Sequence, residues 1–342
     1  MYPSCLDDFA RGVSVREVKS RQFECPWANG VDYFHGKQTI ALHKEMLDFF
    51  KFISPTEEEH HLRLLVAKKV INGIRAVWSS STPVVIGSTL SKVYLPDSDI
   101  NITVLKPEGD LTILKVELDK LKVFRSSEAR KGAIVAEEAP FGFKVTVSLN
   151  DVDGVLYSRR YSAMCKSVPQ FAVLYATVKS FINQFAYQEP DIENIPAKCL
   201  HCLVMYVIQA NGRTLNLGKL LMDLCYDIGF DINTFSTGIS TAWKGRLFIK
   251  PDHKMADWKN PTALMIEDPS HRAHLISIQH PECMISKFGQ AYRWLSNPKD
   301  SRGTLLSRII NRSNYMLKRR EYIKVQYNTT VLGVGVDSIS IN

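Results

Sequence analysis

The feature that most constrains the fold is a short apolar strand that ends in two small residues, with an acidic residue about ten positions later. Residues 83–86 read Pro-Val-Val-Ile, and Gly87 and Ser88 follow them directly. Asp99 then stands just before a second stretch with strand-like alternation, residues 101–105. A Gly-Ser turn lets a ligand approach the backbone closely and offers it N–H and hydroxyl donors. The spacing therefore predicts a polar site where these two strands meet.

The surrounding elements predict an α+β segment followed by a helical one. Residues 143–149 alternate polar and apolar side chains as a strand does, and residues 111–124 have helical spacing. The sequence Ser54-Pro55-Thr56-Glu57 predicts a helix start with Ser54 as the N-cap. Apolar spacing predicts further helices over residues 37–53, 55–78, 171–185, 199–209, 215–226 and 303–322.

Length, charge and cysteine content restrict the class of protein. A chain of 342 residues predicts two domains. No apolar run reaches the roughly 18 residues that a membrane-spanning helix needs, and the N-terminus lacks the pattern of a signal peptide. Seven cysteines without a disulfide-like spacing predict reduced thiols in a nucleus or cytosol. A net charge of +8 favours a polyanionic partner such as nucleic acid.

Residues 95–100, Leu-Pro-Asp-Ser-Asp-Ile, resemble a string found in the noncanonical poly(A) polymerases of the TRAMP surveillance complex type. The resemblance covers roughly residues 37 to 325. Its matching segments are residues 42–49, 53–59, 172–181, 216–221, 238–240 and 265–269.

This resemblance implies an α+β, bilobal fold of the DNA polymerase beta-like nucleotidyltransferase superfamily. A mixed-sheet catalytic domain would be inserted in a mostly helical central (PAP-associated) domain. The implied boundaries are an irregular N-terminal arm at 1–36, the central domain at 37–63 and 166–325, the nucleotidyltransferase domain at 64–165, and a tail at 326–342.

Active members of the family use Mg²⁺ and ATP, and the resemblance places their three metal-binding aspartates at Asp99, Asn101 and Thr146. Two of the three carboxylates are therefore replaced here, which takes the formal ligand charge from −3 to −1. Amide and hydroxyl oxygens are neutral and substitute poorly around hard divalent cations that also face a polyphosphate. We expect Asp99 alone to be insufficient as a metal ligand, and no cofactor in functional form.

The nucleotide pocket implied by the resemblance also departs from the family. A Gly-Gly-x-Ser-Ser-Tyr turn of the family corresponds to residues 195–200, Ile-Pro-Ala-Lys-Cys-Leu, which lack its small residues and its aromatic ring. Residues 270–274 lack the Asn-Asp of the family's recognition loop. The positions left as a vestigial nucleotide site are Gly87, Ser88, Lys179, Lys198, Glu267 and Asp268.

Three alternatives remain at the level of sequence. The pair Asp97 and Asp99 could form a metal site in a register shifted by two residues. Asp151 and Asp153 could reach inward, although they read more simply as turn residues. Basic residues near the C-terminus form either a solvated helix face or a strip for RNA or a partner. The strip consists of Arg308, Arg312 and Arg319.

The function that follows from the resemblance is that of a pseudoenzyme in RNA 3′-end processing or surveillance. It would retain the polyadenylation scaffold for RNA and for protein partners of an RNA-processing complex. The alternative is an active or weakly active adenylyltransferase that uses ATP and Mg²⁺ with altered ligands. A third possibility is a structural subunit that stabilises an active polymerase by heterodimerising. The expected location is nuclear or cytoplasmic, with the nucleus favoured by the resemblance and no membrane association.

Overall fold

The structure, a computed structural model, describes residues 25–28, 33, 37–130, 132–138, 141–186, 188–193, 195–212, 214–241, 244–252, 260–267, 275–297, 303–311 and 315–331. Its helices are α1 Gln38–Ile53, α2 Glu57–Val77, α3 Leu111–Lys120, α4 Val152–Ser167, α5 Pro169–Ala186, α6 Pro190–Glu193, α7 Ala197–Ala210, α8 Leu217–Tyr226, α9 Glu282–Ser296 and α10 Tyr315–Val331. Its strands are β1 Thr82–Ile86, β2 Ile100–Leu105, β3 Ser126–Arg130, β4 Ala133–Glu137, β5 Lys144–Leu149, β6 Thr237–Ser240, β7 Arg246–Ile249, β8 Leu264–Glu267 and β9 Leu275–Ile278. Within these described ranges, no helix has the length and apolar character needed to cross a membrane.

The chain divides into two compact units. The five-strand unit comprises residues 53–167 and 315–342, and the helix-rich unit comprises residues 1–52 and 168–314. The segments of the two units thus alternate along the sequence, and residues 53–167 of the first interrupt the second.

The boundaries of these units differ from the predicted domain boundaries. The five-strand unit begins at residue 53, where the sequence predicted 64, and it includes α10, which was predicted to belong to the central domain. The reason is packing, because Ile323 of α10 is buried in the same apolar core as the five-stranded sheet. The described part of the predicted N-terminal arm consists of residues 25–28, with a turn over 26–28, and the single residue Tyr33.

The sheet of the five-strand unit has the order β1-β2-β5-β4-β3. The central pair, β2 and β5, is parallel, whereas the other three pairs are antiparallel. This mixed sheet, with helices α2, α3 and α10 contributing to its core, agrees with the predicted α+β class. One face of β2 and β5 is fully apolar and buried, since strand residues alternate between the two faces. The apolar face consists of Ile100, Ile102, Val104, Val145 and Val147.

One local prediction for this unit was wrong, and two elements were not predicted. The N-cap of α2 is Thr56 instead of Ser54, since the Glu59 N–H donates to Thr56 Oγ1 over 3.2 Å. The β3–β4 hairpin escaped prediction because the edge strand β3 is largely exposed and carries no apolar alternation. Helix α4 was not predicted because it has a weak apolar pattern: three of its sixteen residues are buried, and one of the three is a serine.

The helix-rich unit joins helices α5, α7, α8 and α9 to a four-stranded sheet of order β7-β6-β8-β9. Gly218 in the first turn of α8 lies so close to α1 that an added Cβ would stand 2.2 Å from the Thr39 carbonyl oxygen. No larger residue fits there without moving the helix, so this glycine sets the approach of α8 to α1.

The C-terminal helix also differs from its prediction. The sequence predicted one helix over residues 303–322, but residues Leu306–Arg308 form a single 3-10 turn and the helix begins at Tyr315. It continues to Val331, beyond the predicted start of a tail at residue 326, and the residues after it lie outside the described ranges.

Candidate functional site

The structure brings three predicted positions together on one face of the central strand pair. Asn101 of β2 lies beside Thr146 of β5 in the parallel register. Asp99 precedes β2 by one residue, and its Oδ2 accepts a hydrogen bond from Thr146 Oγ1 over 3.0 Å. Because the neighbouring residues point into the core, all three side chains lie on the opposite, half-buried face.

The donor atoms on this face do not fit the Mg²⁺ pair that active members of the family use. They comprise one carboxylate, one amide and one hydroxyl, and the hydroxyl already donates to the carboxylate. Mg²⁺ binds through carboxylates and phosphate oxygens in near-ideal octahedral geometry, and a neutral amide or hydroxyl offers little charge. Among the residues that the structure describes, no group of three His, Cys, Asp or Glu side chains is placed to hold a metal ion.

Gly87 is placed where the sequence predicted it, but its N–H is not free for a ligand. Its φ of +76° is the left-handed region, and an added Cβ would meet Asn101 Nδ2 at 3.2 Å. The Gly87 N–H donates to Ser158 Oγ of α4 over 2.6 Å, and that hydroxyl donates to the Gly154 carbonyl over 2.5 Å. The prediction of a free backbone donor at Gly87 is therefore wrong, because α4 supplies an internal acceptor.

Ser88 lies in the short 3-10 turn Gly87–Ser91 that follows β1. Its carbonyl oxygen accepts a hydrogen bond from Ser91 Oγ over 2.9 Å. This turn ends at Lys92, which adopts a left-handed conformation and forms an exposed ion pair with Glu57 over 3.3 Å. The turn is thus stabilised from within the five-strand unit.

A buried arginine that sequence reasoning missed holds the loop in front of Asp99. Arg63 of α2 is 1% exposed and donates to the carbonyl oxygens of Ser98, over 2.8 Å, and Pro96, over 3.1 Å. Its Nε also pairs with Glu59 one turn earlier, over 3.2 Å. The signal was present as an i,i+4 acid–base pair, Glu59 and Arg63, next to the apolar residues of the same helix.

Two aromatic rings enclose the same guanidinium group. Its central carbon lies 4.4 Å from the ring centroid of Tyr94 and 4.8 Å from that of Phe143. A planar group with five donors satisfies several carbonyls and stacks on rings at once, which lysine cannot do. Arg63 therefore fixes the path of residues 94–98 and with it the position of Asp99.

Neither alternative acidic site has the geometry of a metal site. Asp97 is exposed in the loop between β1 and β2, where Leu95 N–H donates to Ser98 Oγ over 3.0 Å. Asp151 caps α4, because its Oδ1 accepts from the Gly154 N–H over 2.8 Å while its own N–H donates to Thr103 Oγ1. Asp153, which the sequence placed in a turn, is exposed in the first turn of α4.

His60 of α2 completes the buried polar surroundings of Tyr94. Its Nδ1 lies 3.2 Å from the Tyr94 hydroxyl, and the two rings are stacked with centroids 6.0 Å apart. Burial, with a smaller contribution from the charge of Lys92, lowers the pKa of His60 from its usual value near 6.5 to about 4. The imidazole is therefore neutral at physiological pH.

The remaining predicted nucleotide residues lie in the helix-rich unit. Lys179 on α5 is half-buried, with its Nζ 6.0 Å from the ring centroid of Tyr175. Lys198 is half-buried in the first turn of α7, which packs on α5. Glu267 ends β8 and is half-buried, whereas Asp268 lies outside the described residues.

The predicted basic strip does not form one helix face. Arg308 is 5% exposed in the 3-10 turn, and its Nη1 donates to the carbonyls of Trp294 and Asn297 over 3.2 and 2.9 Å. Arg308 is therefore a structural residue, and its prediction as an RNA contact was wrong. Arg312 lies outside the described residues, and Arg319 of α10 is half-buried with its guanidinium 5.6 Å from the Phe143 ring centroid.

Comparison with known proteins gives a consistent family. A family model described as the central palm domain of mitochondrial-like poly(A) RNA polymerase matches residues 42–158. The poly(A) RNA polymerase cid14 of Schizosaccharomyces pombe is 25% identical over 284 residues, covering 75% of this chain and 41% of that protein. The chain thus spans about two fifths of that relative's length.

A second relative is described as inactive. It is the inactive non-canonical poly(A) RNA polymerase protein Trf4-2 of Drosophila melanogaster, 23% identical over 333 residues that cover 89% of this chain and 81% of that protein.

Solved structures show the same fold. The polymerase core of TRAMP, a RNA surveillance complex, superposes with a TM-score of 0.73 at 22% identity, over 84% of this chain and all of that one. A cytoplasmic RNA terminal U-transferase superposes with a TM-score of 0.66 at 13% identity, over 79% of this chain and 98% of that one. The sheet order, the matched palm region and these likenesses together show that the chain is similar to noncanonical poly(A) polymerases and has their α+β nucleotidyltransferase fold.

Proposed function

We propose that this chain is a pseudoenzyme of the noncanonical poly(A) polymerase family, which retains the scaffold and has lost nucleotide transfer. One observation carries the proposal. The carboxylate of Asp99 accepts a hydrogen bond from Thr146, at the very position where an active relative would present a second carboxylate to a metal ion. In place of that carboxylate stands a hydroxyl that donates its proton to Asp99.

The energetic consequence of this arrangement is large. Two divalent cations stabilise both the attacking and the leaving oxygen in this type of phosphoryl transfer. A site with one carboxylate in place of three loses that stabilisation, which we estimate at about 4 kcal/mol or more, and this corresponds to roughly a thousandfold in rate.

The donors for the triphosphate support the same proposal. The Gly87 N–H, which could approach a phosphate, already donates to Ser158. In the helix-rich unit, the start of α7 has Pro196 at its N-cap with no side-chain hydrogen bond. The small hydroxyl residues that the family places in this turn are absent from residues 195–200.

The proposal is tested by extension of a labelled RNA primer with ATP, with Mg²⁺ and with Mn²⁺ in separate reactions. We expect no product above that of the matched Asp99→Ala variant. Processive tailing by the natural chain that Asp99→Ala abolishes would overturn the proposal. That outcome would establish the alternative, an adenylyltransferase that works with altered metal ligands.

We further propose that the retained scaffold binds RNA and protein partners of an RNA-processing complex in a nuclear or cytoplasmic compartment. The net charge of +8 and the lack of disulfides among the six described cysteines support this part. With Arg308 buried, the exposed cations of α10 are Lys318 and Lys324, and they are the residues to test for RNA contact. A structural subunit that pairs with an active polymerase would be recognised by co-purification with that polymerase.

A further inference from the structure

Three aromatic side chains form a cluster on the surface of the helix-rich unit. We call it the aromatic surface: Tyr226 at the end of α8, Phe230 in the turn that follows, and Tyr292 of α9. Tyr226 is 41% exposed and Phe230 is 43% exposed. The ring centroids are 5.6 Å apart for Tyr226 and Phe230, 5.1 Å for Tyr226 and Tyr292, and 5.7 Å for Phe230 and Tyr292. Exposed Arg293 lies over Phe230, 5.4 Å from its centroid.

A specific backbone conformation presents these rings. Helix α8 passes into a π-helical turn, Asp227–Asp231, in which the Ile232 N–H donates to the Asp227 carbonyl over 2.9 Å. Within the turn Ile228 is buried and Phe230 is directed outward. Single π-helical turns are uncommon and are frequent at functional sites.

Two glycines lock this turn against α9. A Cβ added to Gly229 would stand 2.4 Å from the Cα of Gly289, so the two backbones touch directly. This contact holds Phe230 next to Tyr292 without any larger side chain between the two elements. The rings are thus preorganised on rigid backbone, which lowers the entropy that binding costs.

Acidic groups accompany the aromatic surface. Asp223 and Asp227 are half-buried one helical turn apart, and Asp231 is exposed at the end of the π-helical turn. Burial, and then the negative charges of Asp223 and Asp231, raise the pKa of Asp227. Lys219 pairs with Asp223, so the three carboxylates outweigh the two cations, Lys219 and Arg293, around the rings.

We propose that the aromatic surface binds a segment of a partner protein that carries an apolar or aromatic anchor flanked by Lys or Arg. Tyrosine and arginine are the residue types that dominate protein interfaces, and exposed clustered rings of this kind mark interaction sites. The excess of carboxylates selects a basic segment and repels the phosphates of RNA. This inference rests on the proposed scaffold function and names the chemistry of the partner.

The test uses the full chain and a random peptide library displayed on phage. We expect selected peptides to share an aromatic or branched apolar anchor next to Lys or Arg. Binding of the labelled peptides should fall about tenfold or more in Tyr226→Ser/Tyr292→Ser and in Asp231→Lys. Phe235→Ser is the matched control, because Phe235 is 64% exposed in the same unit but outside the cluster, and it should leave binding unchanged.

Two outcomes would overturn the inference. One is that no selected peptide loses affinity in Tyr226→Ser/Tyr292→Ser or, where that double variant is unstable, in the charge reversal Asp231→Lys at an exposed residue. The other is that an oligoadenylate binds the natural chain and loses the same factor of affinity in these variants, which would make the surface an RNA site.

The same variants separate this inference from the proposed function. Primer extension by the natural chain would contradict the pseudoenzyme proposal whatever the peptides do. An inactive natural chain whose aromatic surface selects no dependent peptide would contradict the partner surface alone.

Discussion

A buried cation in each of the two units, Arg63 in one and Lys250 in the other, has different hydrogen-bond and charge partners. In the five-strand unit, Arg63 is held by two carbonyls, two aromatic rings and the carboxylate of Glu59. In the helix-rich unit, Lys250 donates to the carbonyls of Thr234, Pro261 and Ala263. Burial lowers the pKa of that lysine.

The difference in their partners follows from the segment of chain that each cation holds in place. Arg63 holds the loop before Asp99, a place where active relatives gather charge around metal ions. Lys250 directly follows β7 and connects it to the segment before β8. In the part of the chain that the structure describes, the hydrogen bonds of its amine all go to carbonyl groups. Removing one partner of a buried ion pair is costly, because the other charge stays buried without compensation. Removing a buried amine that has no ionic partner costs less.

Replacement of Arg63 and of Lys250 should have the largest effect and tests this contrast directly. Arg63→Met leaves the buried Glu59 carboxylate without its cation, so we expect a loss of about 3 to 5 kcal/mol in the free energy of unfolding. Lys250→Met removes a cation that has no buried acid partner, and we expect about 1 to 3 kcal/mol. Denaturant unfolding of both variants measures the difference. A larger loss for Lys250→Met than for Arg63→Met would break the comparison.

Restoring the aspartates should have the next largest effect. Asn101→Asp with Thr146→Asp places three carboxylates on one face and removes the hydroxyl that donates to Asp99. Mutual repulsion should then destabilise the metal-free chain by about 2 kcal/mol or more.

Added Mg²⁺ or Mn²⁺ should raise the melting temperature of this double variant and leave that of the natural chain unchanged. Tailing should remain at trace level, because the nucleotide contacts around residues 195–200 are still missing. Tailing at the rate of active relatives would show that the metal ligands were the single lesion. No metal-dependent melting shift would show that Thr146 is not the third ligand position.

The pH dependence of stability should show a smaller effect at His60. Its folded pKa of about 4 is below the usual value near 6.5, so the unfolded chain binds more protons between these values. Stability from the neutral imidazole is complete above about pH 6.5 and is lost as the pH falls towards 4, by about 2 kcal/mol.

His60→Gln keeps a partner for Tyr94 without this titration, and its stability should fall less steeply over the same pH range. His201 of the helix-rich unit offers a parallel measurement, since burial holds its pKa well below the usual value. An unchanged slope in His60→Gln would contradict the buried, neutral state of this histidine.

RNA binding should show the smallest effect. Lys318→Glu with Lys324→Glu reverses two exposed cations of α10, and we expect RNA affinity at low salt to fall about tenfold with a shallower salt dependence. Arg308→Lys is the matched control, because Arg308 is buried and has no access to RNA. Equal affinities for the natural chain and the double variant would remove α10 from the RNA-binding surface.

Much of the fold followed from local patterns. The alternation in β2 and β5 predicted both strands to within one residue, and the apolar spacing predicted α1, α5 and α7 closely. Elements with weak patterns were missed: β3 is an exposed edge, and α4 buries few side chains. The final helix was misplaced because apolar spacing over residues 303–310 reflects a buried turn.

The sequence by itself determined that Asp99 and Asn101 share one face of a strand. Alternation along β2 directs Asp99 and Asn101 to one face, and this periodicity is local. The replacement of two of the three carboxylates is what the family resemblance implies, and it stays a prediction.

The tertiary structure alone decided how the residues at that site are satisfied. Thr146 lies 47 positions from the carboxylate it donates to, and Ser158 lies 71 positions from the Gly87 N–H it accepts from. Burial of Arg63 and Arg308 likewise depends on carbonyls and rings from other elements. Hydrogen bonding and burial are set by packing between distant segments, and a linear pattern carries no record of those distances.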